Sequence, residues 1–145
     1  MNCSGARLLF VLIAIFSVAG VIDSGIALQR HFAESPTRYC DFSQKFSCDI
    51  VNRSEYSTLL GVPVALIGVA GYAMLFVLST FFQTREHTPD WLLGAALAGL
   101  GFALYLSYIE AYVLTTWCIL CLISLALISL ISVLAGVLKM KNSRA

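Results

Sequence analysis

Residues 117–138 read WCILCLISLALISLISVLAGVL, twenty-two positions without one charged side chain. At ~1.5 Å per helical residue such a run reaches about 33 Å, enough to cross the hydrocarbon core of a bilayer. Upstream runs of the same kind lie at roughly Leu8 to Leu28, Leu59 to Phe82 and Trp91 to Thr115. Only helices and closed barrels satisfy every backbone polar group in lipid, and barrel strands need an apolar/polar alternation and frequent turns that these runs lack. The sequence therefore predicts an all-α fold, an integral membrane four-helix bundle forming one domain over 1–145. The first run is too long for the apolar part of a signal peptide, and no clean small-residue cleavage site follows it, so it is read as a span.

Composition agrees with that reading. Of 145 residues, 59% are hydrophobic and 12% charged, with a mean hydropathy of +0.87. Those values exclude a soluble domain and a disordered chain. Nine Lys+Arg against 8 Asp+Glu leave a formal charge of +1, which excludes an extended basic surface for nucleic acid.

The connections are unequal. Gln83 to Asp90 is a short polar turn, and spans three and four are nearly continuous around Thr115, Thr116 and Trp117. The long segment is the loop Gln29 to Thr58 between spans one and two. With four spans, parity alone places this loop and the span three to four junction on one side of the membrane. Arg7, Arg85, Lys139, Lys141 and Arg144 collect on the other, which favours both termini in the cytoplasm. Cys3 then faces a reducing compartment, and Cys40, Cys48, Cys118 and Cys121 face an oxidising one where disulfides persist.

Cys118 and Cys121 form a CxxC at the start of span four. On a helix this spacing places both sulfurs on one face, one turn apart. Unpaired N–H groups and the positive end of the helix dipole favour a thiolate at Cys118, while Cys121 lies deeper among apolar neighbours, suited to a lipid-soluble reactant. Cys40 and Cys48 share the long loop, so two dithiols on one side can exchange electrons through mixed disulfides. Two alternatives stay open from the residues alone: a structural Cys40–Cys48 staple beside inert cysteines, or, less favoured, a soft-metal site of up to four thiolates. No metal is expected. Phe42, Phe46 and Ile50, four apart, would share one face of an amphipathic loop helix, lying on the membrane surface or packing in a core.

Small residues at Ala95, Gly99 and Ala103, and at Gly61 and Ala65, are read as helix-packing faces. Asp23 and Glu110 sit close enough to helix ends to snorkel to the interface. His31 and His87 are read as solvated, without a role.

Taken together, Cys40-Asp41, Ser47-Cys48-Asp49-Ile50-Val51 with Ser54 and Tyr56, Leu60-Gly61-Val62-Pro63, Tyr108-Ile109-Glu110 and Trp117-Cys118-Ile119-Leu120-Cys121 resemble the vitamin K epoxide reductase family. Its bacterial members work as quinone-dependent disulfide-bond formation proteins. The resemblance runs from the first span through the fourth. It implies that a reduced thioredoxin-fold (DsbA-like) protein attacks the loop disulfide at Cys40, that Cys48 exchanges with Cys118, and that Cys121 passes electrons to a quinone between the helices. Ubiquinone, menaquinone or a vitamin K type quinone would serve. Ser54 would position the loop or the quinone. Because the chain ends soon after span four, the thioredoxin-like domain fused in some bacterial relatives is expected to be absent and the partner separate.

The pattern departs from the vertebrate enzymes at two places. Their tyrosine four residues after the second CxxC cysteine, which hydrogen-bonds the vitamin, is Leu125 here, and their asparagine near the start of span two has Ser57 as its nearest polar counterpart; the resemblance puts both positions, with Cys121 and Ser54, at the quinone. These departures favour quinone reduction over the alternative, vitamin K epoxide or quinone reduction driven by external thiols. A non-enzymatic tetraspan scaffold with a structural loop disulfide is the reading from another class. The expected location is a bacterial plasma membrane with the active site extracytoplasmic, the endoplasmic reticulum membrane being the alternative.

Overall fold

The computed structural model describes residues 3–33, 41–43 and 45–144. Four long helices dominate: α1 (Cys3–Phe32), α3 (Val64–Phe81), α4 (Thr88–Ile109, continued by a π-helical turn over Glu110–Leu114) and α5 (Ile119–Ser143). Each is long and apolar enough to cross a bilayer. Between α1 and α3 lie β1 (Asp41–Ser43), β2 (Phe46–Ser47), the short helix α2 (Cys48–Asn52), a 3₁₀ turn at Glu55–Ser57, and β3 (Thr58–Leu59) paired with β4 (Val62–Pro63). The helix α1 lies chiefly against α3 and α5, and α4 chiefly against α5.

The chain is apolar on its outside. Leu8, Val11, Ile15, Val18 and Ile22 are all exposed and, spaced three and four apart, form one outward stripe along α1. Ser17, Asp23, Ser24, Ser79, Ser132 and Glu110 are buried. In water that arrangement would expose far more apolar surface than a soluble monomer tolerates; in lipid it costs nothing. Buried serines return their hydroxyl protons to the preceding turn, as in Ser17 to the Ile13 carbonyl at 2.7 Å and Ser132 to Ile128 at 2.7 Å.

Helix ends differ from the expected spans where polar residues find partners or a turn intervenes. The first helix continues through Gln29, Arg30 and His31 because Arg30 and His31 are held by the loop. The last continues past Leu138, where Lys139 Nζ meets Asp90 at 3.0 Å. Span two, by contrast, begins at Val64. The residues before it form a hairpin whose turn, Leu60-Gly61, has φ of 53° and 83°. Positive φ at both positions is the type I′ turn that suits hairpin twist, accessible to Gly61 and mildly strained at Leu60. Gly61 therefore belongs to this turn, and the packing face expected for Gly61 and Ala65 does not exist.

Helix proximity depends on Gly20 rather than on that face. A Cβ there would overlap the Tyr72 ring. Gly20→Ala gains about 1 kcal/mol of helix propensity but must displace a buried aromatic ring, at a cost of about 1–3 kcal/mol. A lower thermal midpoint in detergent is the expected result; an unchanged or raised midpoint would contradict the tight contact.

Candidate functional site

The site begins with two backbone hydrogen bonds. The Trp117 N–H donates to the Lys45 carbonyl at 2.7 Å, and the Ser47 N–H donates to the Trp117 carbonyl at 3.1 Å. The loop is thus stitched to the junction between α4 and α5, with the following residues, Cys48 and Cys118, brought together. Both are fully buried and share one small core with Ala27, Val51 and Leu120, against which Cys121 packs. Ser47 caps α2, its hydroxyl accepting the Ile50 N–H at 3.4 Å.

A second set of contacts fastens α2 to α1. Arg30 Nε lies 3.4 Å from Asp49 Oδ1, with both side chains largely buried. The His31 Nδ1–H donates to the Asn52 carbonyl. His31 is therefore part of the site and not simply solvated. Among its described residues the loop is only briefly helical: Phe42 lies in β1, Phe46 in β2 and Ile50 in α2, so the three do not share a helical face. Strand pairing with the junction takes precedence over the helical spacing. Phe46 and Ile50 are exposed and outside the core.

Cys48 is disulfide-bonded, whereas Cys3, Cys118 and Cys121 are free thiols. Cys40, expected to be the entry cysteine, lies outside the described residues. Cys118 caps α5 in an extended conformation, with Cys121 in the first turn. The Asn52 amide approaches Cys118 Sγ at 4.0 Å. The Cys118 N–H is not left to act through the helix dipole alone, since it donates to Glu110 Oε2 at 3.1 Å.

Glu110 does not snorkel. It is 1% exposed, at the point where α4 widens into its π-helical turn. Such turns concentrate at functional positions. Thr115, at φ 50°, then reverses the chain, and the Thr116 N–H donates to the Glu110 carbonyl at 3.1 Å. Asp23 is also buried, at 7% exposure. No sequence pattern gave the inward direction of these carboxyls; the functional prior attached to any ionisable residue at membrane depth was the available signal.

Beneath the CxxC, the four long helices and the loop line a cavity of about 350 Å³. Small-molecule sites span roughly 300–1,000 Å³ with mostly apolar walls. Cys121, Ser124 and Glu110 line it beside Asp23 and Tyr72, and Gly99 and Ala103 of the small-residue face in α4 give it width. The Tyr72 hydroxyl meets both the Ser124 carbonyl and its hydroxyl at 2.9 Å. Ser54 and Ser57 line the cavity on the loop side. Their hydroxyls donate to the Val51 and Ser54 carbonyls at 2.8 and 2.6 Å, which leaves them as acceptors toward the cavity. Leu125 is not part of the wall. The wall positions of α5 are Leu120, Cys121, Ser124 and Ile128, so Ser124 takes the place assigned to Leu125. Among the described residues, no group of three or more His, Cys, Asp or Glu is arranged to hold a metal ion.

A four-span bundle whose disulfide-bearing loop covers a free dithiol, with an apolar cavity below, defines a membrane thiol oxidoreductase. The sequence profile of the Vitamin K epoxide reductase family matches residues 11–135, and the chain belongs to that family. The family couples thiols to quinones in membranes, generally with thioredoxin-like proteins.

Proposed function

We propose that this protein reoxidises a separate thioredoxin-fold protein and passes the electron pair to a quinone, supporting disulfide-bond formation on the extracytoplasmic face of a bacterial plasma membrane. The observation that carries this reading is the register at Lys45, Ser47 and Trp117, which sets Cys48 against Cys118 while Cys121 opens on the cavity.

The partner's thiolate breaks the loop disulfide at Cys40 and releases Cys48; the partner's second thiol completes its own disulfide and frees Cys40. Cys48 then attacks a Cys118–Cys121 disulfide at Cys118, liberating Cys121, and Cys40 closes on Cys48. Each exchange makes one S–S bond and breaks one. A bound quinone supplies the two-electron acceptor. The apolar wall would hold it, with Ser54 and Ser57 on the loop side.

The test is turnover of purified protein with a reduced thioredoxin-fold protein and a water-soluble quinone, followed by quinone absorbance. Quinone consumption matched one-to-one by partner disulfide is expected. Turnover of vitamin K epoxide with external thiols, and none with quinone, would replace this reading by the epoxide one.

A further inference from the structure

A carboxyl group buried at membrane depth is costly, and a buried acceptor without a donor adds to that cost. Glu110 is such a group. Its Oε2 accepts the Cys118 N–H, while the buried Oε1 receives no backbone or amide donor among the described residues, leaving the Cys121 thiol as the donor at hand. The carboxyl lines the cavity, and the Cys121 thiol lies beside it. Capping the Cys118 N–H alone would need only a neutral amide oxygen.

Resting on the proposed quinone reduction, we infer that Glu110 is a catalytic proton carrier between the CxxC thiols and the quinone oxygens. In the reaction Cys118–SH plus Cys121–SH plus quinone gives disulfide plus hydroquinone, two S–H bonds break, one S–S bond forms, and two electrons and two protons reach the quinone. The Glu110 carboxylate takes the proton of Cys121 and delivers it to one quinone oxygen. Ionised again, it repeats the transfer with the proton of Cys118, whose backbone it already contacts. The mainly apolar walls offer few alternative carriers. Titratable groups sharing the space are Cys118 and Cys121 at the start of α5, Asp23 and His31 from α1, Tyr56 from the loop, and Tyr72 from α3.

Full-length protein with dithiothreitol and a water-soluble benzoquinone decides the matter. Glu110→Gln keeps the shape and an oxygen for the Cys118 N–H but cannot carry a proton. Its kcat is expected to fall about 100-fold, in the range of lost general acid–base catalysis, with KM for quinone changed less than about twofold. In the unsubstituted protein kcat rises with pH as Glu110 ionises, because only the carboxylate accepts a proton. That limb disappears in Glu110→Gln and persists, at reduced height, in Glu110→Asp. A Glu110→Gln enzyme at full rate, or one slowed equally at every pH with the limb intact, overturns the relay, as does a limb removed by Asp23→Asn instead. If Glu110→Gln does not fold, the limb in Glu110→Asp decides: its loss there overturns the proposal. Absence of quinone turnover in the unsubstituted protein strikes the oxidase reading itself, and the relay with it.

Discussion

A Cys121→Ala variant is expected to accumulate a covalent link between Cys48 and Cys118 and to lose quinone reduction by on the order of 10⁴-fold or more, the scale on which removal of a covalent nucleophile is felt. The link needs no added oxidant. The Cys118 thiol attacks the loop disulfide at Cys48 and releases the other loop sulfur as a thiol, so one S–S bond replaces another. Geometry favours this step. Both residues are fully buried in one small core, and the backbone bonds from Trp117 to Lys45 and Ser47 fix the residue before each. With Cys121 present, it resolves the link by forming the CxxC disulfide; without it, the intermediate has only the reverse path. Digestion without reductant and mass spectrometry should detect a peptide pair joining 48 to 118, with one newly alkylatable loop thiol. Cys118→Ala should lose turnover to the same extent and show no such pair. If Cys121→Ala shows only the original loop disulfide, or either variant keeps its rate, the cysteines brace the outer surface and carry no electrons.

The bundle was legible because a lipid-crossing helix announces itself by length and lack of charge, and runs such as 117–138 admit few other readings. The CxxC was legible because its chemistry depends on local spacing. What escaped was set by partners distant in sequence. Hydropathy places Glu110 near a helix end, and a long side chain there ordinarily reaches for water. The π-helical turn and the Cys118 N–H, eight residues on, turn it inward. His31 looked like one more polar loop residue until α2 folded back to accept its proton. Leu125 was chosen by position relative to Cys121, but the wall of the cavity follows Ser124, which Tyr72 holds from the opposing helix. The Leu60-Gly61 turn could have been read, since a Gly between short apolar pairs is a hairpin signal. The greater length of apolar sequence around it concealed the turn.

In the proposed cycle the loop opens to present its disulfide to the partner, and the ion pair between Arg30 and Asp49 is one of the ties that opening breaks. Their side chains are 8% and 13% exposed at a separation of 3.4 Å. Removing one member of a buried pair strands the other charge, at about 3–5 kcal/mol. In Arg30→Met the Asp49 carboxylate loses this counter-charge, which weakens only the closed loop, because opening returns it to water. The remaining ties, His31 to Asn52 and the Trp117 bonds, still define the closed position, so the change appears as a larger open population and not as global unfolding. At about 1.4 kcal/mol per decade this corresponds to a rise of about 10²- to 10³-fold in opening, discounted from the full range for relaxation around Asp49. Maleimide modification of Cys118, fully buried when the loop is closed, should accelerate by that factor, while Cys3, exposed at the opposite end, keeps its rate and serves as the internal reference. The double change Arg30→Met with Asp49→Leu removes both charges of the pair and should restore most of the protection. If the double variant is as reactive as the single one, packing by the Arg30 stem, and not charge pairing, holds the loop; if Cys118 reactivity does not change in Arg30→Met, the pair is not what keeps Cys48 seated above the dithiol.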